Sequence, residues 1–71
     1  MNRSTDDLVR IAAAGGGFRL DASGRPIDDL VRIAAAASGK NATMILENTT
    51  NRATNDLVRI AAAGKGSVIF V

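Results

Sequence analysis

Arginine is the residue type in this chain with the reach and the spacing to do chemistry. Arg3, Arg25 and Arg52 recur at matching places, and so do Arg10, Arg32 and Arg59. A guanidinium is a planar, permanently charged fork of donors that fits phosphate or carboxylate. Each arginine of the first set stands four residues ahead of an aspartate that opens a helical pattern, where free helix N–H groups also favour a negative charge. Arg3, Arg25 and Arg52 are therefore the candidate anion-binding residues, with a nucleic-acid backbone among the anions they could take. Asp21 and Glu47 stand close before Arg25 and Arg52 and are their expected internal partners. Asp6, Asp7, Asp28, Asp29 and Asp56 precede the second set by three or four residues. That is the spacing of ion pairs along one helix, each worth about 0.2–0.5 kcal/mol.

Other chemistry is poorly supplied. The chain has no Cys, His, Tyr or Trp, so it lacks a thiol or imidazole nucleophile, a general base of the usual kind and a zinc or haem ligand set. The reading is a non-enzymatic protein with no catalytic residue, cofactor or metal. Nine Lys and Arg against seven Asp and Glu leave a net charge of +2, too small an excess for a polybasic surface. Two phenylalanines are the only aromatics, and both fall at core positions, so bases would find no stacking platform. Nucleic acid is permitted as a partner but not favoured. Gly15-Gly16-Gly17 and Gly64-Lys65-Gly66 run from helix into strand, the reverse of a phosphate-binding loop, and read as turns.

The elements that position these side chains come from an internal repeat. Asp7-Leu8-Val9-Arg10-Ile11-Ala12-Ala13-Ala14 recurs unchanged from Asp29 and from Asp56, at spacings of 22 and 27 residues. Leu8, Ile11, Ala12 and Gly15 fall on one stripe at helical spacing. Ser4, Thr5 or Thr54 can cap a first turn, and Pro26 is tolerated at a helix start. Gly15, Gly39 and Gly64 are expected to take the positive φ of C-terminal caps. Short apolar segments follow as strands: Phe18-Arg19-Leu20-Asp21, Met44-Ile45-Leu46-Glu47 and Val68-Ile69-Phe70-Val71. The expected fold is α/β: three α-then-β repeats, about 2–22, 24–48 and 51–71, in one domain over residues 1–71. Strands separated by a helix are normally parallel, which predicts a three-stranded parallel sheet in the order 1-2-3 with the helices on one face. The period and the single helix per strand are similar to leucine-rich repeats. Their signature is echoed only at Leu46 and Asn48, and the resemblance implies a solenoid-like stack but no particular function.

Strand alternation sends Phe18, Leu20, Met44, Leu46, Val68 and Phe70 toward the helices. The other face receives Arg19, Asp21, Ile45, Glu47, Ile69 and Val71 and turns apolar toward the third strand. Parallel sheets rarely leave a face bare, and the third strand would be an edge without Lys or Pro to blunt it. Seventy-one residues bury too little surface to make a robust domain alone. These features together predict an interface at Ile45, Ile69 and Val71, serving a homo-oligomer or another protein. No apolar run reaches the ~18 residues of a membrane span, and a cytoplasmic protein without a membrane partner is the expectation.

Overall fold

A computed structural model of the chain describes residues 3–71; Asn2, with which the first repeat unit was expected to begin, lies outside them. The elements alternate as α1 (Thr5–Ala13), β1 (Phe18–Asp21), α2 (Ile27–Ala37), β2 (Met44–Glu47), α3 (Thr54–Gly64) and β3 (Val68–Phe70). The strands form one parallel sheet in the order β1-β2-β3. Its register aligns the repeats, with Phe18 beside Met44 beside Val68 and Leu20 beside Leu46 beside Phe70. The chain is thus the α/β repeat stack its periodicity predicts.

Alternation sets what each face does. Phe18, Leu20, Met44 and Leu46 are buried in a single core with Leu8 and Ala12 of α1, Leu30, Ile33, Ala34 and Ala37 of α2, and Ile60 of α3. Arg19, Asp21 and Ile69 on the other face are exposed, so the helices cover one side of the sheet only. α2 lies between α1 and α3, and its four buried residues exceed the two on either neighbour. The core is therefore deepest at the middle unit.

Helix ends follow local chemistry, with two departures from expectation. The Ser4 hydroxyl accepts a bond from the Asp7 amide at 3.2 Å and caps α1. α1 then ends in a Schellman motif: Gly15, at φ 95°, donates to the Ala12 carbonyl, and Gly16 donates to the Ile11 carbonyl, each at 3.0 Å. Pro26 and Ala53 occupy the N-cap positions of α2 and α3, and neither helix has a side-chain cap bond. Gly39 takes positive φ as expected, but Gly64 does not; α3 runs through it, and Lys65 adopts the left-handed conformation instead. The reason is packing. Gly64 is buried against β3, where an added Cβ would lie 2.6 Å from a Val68 methyl carbon, so the position needs the missing side chain more than the free φ.

Candidate interaction surfaces

The two arginine series hold the units together. Arg32 pairs with Asp6 at 3.0 Å and Arg59 with Asp28 at 3.3 Å. Both bridges cross from one helix to its neighbour, whereas the sequence suggested pairing within a helix. Each such arginine reaches back to the preceding unit. All four side chains are more than half exposed, so each bridge is worth at most about 1 kcal/mol.

Arg25 and Arg52 reach back in the same direction from just before the N-termini of α2 and α3, near the helix end at which Asp6 and Asp28 receive Arg32 and Arg59. Arg25 donates to the Thr5 hydroxyl at 2.9 Å and to the Arg3 carbonyl. The Thr5 hydroxyl in turn donates to Asp29 at 3.1 Å. Arg52 donates to the carbonyls of Ala22 and Arg25. The expected pairing with Asp21 and Glu47 does not form. Glu47 instead binds Arg19 at 2.7 Å across the bare sheet face. Asp21 accepts from the Ser23 hydroxyl and amide at 2.6 and 2.9 Å. Those two bonds, helped by Asn48, hold its carboxyl below the usual carboxylate range. Arg3 lies on the outer side of the first unit, in a groove of 360 Å³ lined also by Asp7, Arg10, Ile11 and Ala14. The three candidate anion-binding arginines thus occupy equivalent places but do not converge on one site.

A second hollow, of 540 Å³, opens at the carboxyl ends of β1 and β2 and is lined by Ser23, Asn48, Thr50, Asn51, Arg52, Ala53 and Asp56. Of its lining, only Arg52 stands out in the sequence, as a candidate anion-binding residue. Arg52, its one cationic side chain, is turned onto the two carbonyls beneath it.

Ile45, Ile69 and Val71 are placed by the sheet. The register sets Arg19, Ile45 and Ile69 in a row, with Ile45 half-buried, Ile69 48% exposed and Val71 57% exposed. Val71 is tied down: its amide donates to the Leu46 carbonyl at 2.9 Å, and its carbonyl accepts from the Thr49 hydroxyl at 3.2 Å. Because Ser67 and Val71 direct their main-chain groups at β2, alternation turns the N–H and C=O groups of Val68 and Phe70 outward. An aliphatic strip and an unpaired strand edge therefore adjoin each other. Among the described residues no helix is long and apolar enough to cross a membrane. No family model, no curated protein and no solved structure matches the chain.

Proposed function

We propose that this protein is a non-enzymatic interaction module that associates through its bare sheet face and the open edge of β3. One observation carries the reading: Ile69 and Val71 are exposed beside a strand edge whose N–H and C=O groups have no partner among the described residues. Water hydrates the edge adequately but gains nothing from the aliphatic side chains, so a second strand laid along β3 satisfies the first and covers the second. Anion binding by Arg3, Arg25 and Arg52 has less support, because Arg25 and Arg52 already donate to main-chain carbonyls. A cytoplasmic setting agrees with the absence of disulfide chemistry in the sequence.

Light scattering after size exclusion tests the proposal. The expected result is a mass that is a multiple of the 7.3 kDa chain, reduced to 7.3 kDa by Ile69→Lys while the helical circular dichroism persists. A wild-type chain that stays at 7.3 kDa at millimolar concentration would refute it.

A further inference from the structure

The two flanks of the stack are complementary halves of a joint the molecule already contains. At the joint between the first and second units, Thr5, Asp6 and Val9 of α1 face the second unit. Thr5 and Asp6 receive Arg25 and Arg32, and Val9 is half-buried. Thr54, Asn55 and Val58 occupy the same three positions on α3, where Val58 is 58% exposed. Leu57 and Ala61 tell the same story: their equivalents in α1 and α2 are fully buried, while Leu57 is half-buried and Ala61 exposed. The opposite flank carries the other half. Arg3, Asp7, Arg10 and Ile11 line the 360 Å³ groove, and their equivalents in the second unit are the residues that grip α1. Ile33 and Ile60 are fully buried where Ile11 is only half so.

We infer that a second copy of this chain docks head to tail, its first unit stacking on the third unit of the copy before it as the second unit stacks on the first. This rests on the self-associating reading above and gives it a polarity. The incoming Arg3 donates to the Thr54 hydroxyl and the Arg52 carbonyl, and Thr54 donates to the incoming Asp7, as Arg25, Thr5 and Asp29 do internally. The incoming β1 lies parallel to β3 and continues the register, with Phe18 beside Val68 and Leu20 beside Phe70. The main chains agree with this. Phe18 and Ala22 direct their amides at β2, so the groups of Arg19 and Asp21 point outward, as those of Val68 and Phe70 do on β3. One side chain departs from the internal joint. Asn55 stands where Asp6 and Asp28 supply a carboxylate, so the incoming Arg10 donates to an uncharged amide oxygen in place of forming an ion pair. The contact uses a different patch on each copy, so it propagates and ends only in a closed ring or a filament.

Complementation between two blocked chains tests this geometry. Ile11→Lys blocks the first-unit flank, and Val58→Lys places a cation where the incoming Arg10 must sit. Each variant alone, checked for helical circular dichroism, should stay at the mass of one chain, and an equimolar mixture should form a particle of two chains and no more. Either variant assembling alone, or a mixture that stays monomeric, overturns the head-to-tail arrangement. If Ile11→Lys assembles while Ile69→Lys does not, self-association through β3 stands and only its polarity is wrong. A wild-type chain that never assembles removes both. Asn55→Asp, an exposed change that leaves the core untouched, restores the carboxylate. It should lower the concentration at half-assembly about twofold to fivefold, the range of an exposed ion pair; an unchanged or higher value overturns the Arg10–Asn55 contact.

Discussion

A guanidinium that donates to two main-chain carbonyls binds separate segments at once, and Arg52 does so with the Ala22 and Arg25 carbonyls at the junction of the second and third units. Those carbonyls belong to the turn between β1 and α2, where the backbone groups have left the sheet ladder and have not yet entered the helix. Hydrogen bonds to a charged group contribute about 1.5–3 kcal/mol. Arg52→Ala should therefore lower the unfolding free energy by about that amount in urea titration, and Arg52→Lys should recover only part, because an ammonium lacks the planar fork. Equal stability of the three proteins would remove the clamp and return Arg52 to the pool of groups open to a ligand. The recurrence of these arginines was legible in the sequence; their partners were not. A spacing of three or four residues along a helix and a step of one unit across a stack both place an aspartate near Arg32. Only the packing of α2 beside α1 selects Asp6.

At the scale of elements, turn chemistry decides where each helix stops. Gly15 sits at φ 95° inside the Schellman motif, and an added Cβ would also stand 3.2 Å from the Lys40 carbonyl oxygen. Gly15→Ala should cost about 1–2 kcal/mol, the penalty of a left-handed backbone for a residue with a Cβ, read as a lower midpoint of thermal or urea unfolding. Helix positions, strand positions and the inward and outward alternation were all readable, because period 3.6 and period 2 are imposed by backbone geometry and eight identical residues mark each helix. The end of α3 was not. Gly64 was the expected stop, and the helix runs through it because of the closeness of Val68, a contact made only after the chain has folded back.

For the whole molecule, the same leucine recurs three times in two different settings. Leu8 and Leu30 are fully buried, and Leu57 is half-buried. Truncating a fully buried leucine costs about 2–5 kcal/mol, against a total of about 4–10 kcal/mol for a chain this long. Leu8→Ala and Leu30→Ala should each lose a large part of the unfolding free energy in urea titration, whereas Leu57→Ala should show a smaller loss in dilute solution. If copies stack head to tail, the Leu57 penalty grows with protein concentration, which repeated urea titrations at rising concentration would detect; a constant penalty would speak against burial of that flank. Alternation alone assigns Ile45, Ile69 and Val71 to the bare face, where Ile69 and Val71 are exposed and Ile45 is half-buried. The sequence did not foretell the paired flanks, because the partial burial of Val9 and the exposure of Val58 depend on what stands beside two nearly matching helices.

The placement of the core at the middle unit governs how the protein loosens. α2 and β2 have neighbours on both sides, while α1 with β1 and α3 with β3 each have one. Local opening therefore starts at the two margins, where a helix and its strand can swing away after losing one set of contacts, and reaches β2 last. The amide of Ile45, directed at β1, is freed when the first margin swings away and that of Leu46, directed at β3, when the last one does, whereas those of Val68 and Phe70 are open in the lone chain and gain protection only where another copy stacks on β3.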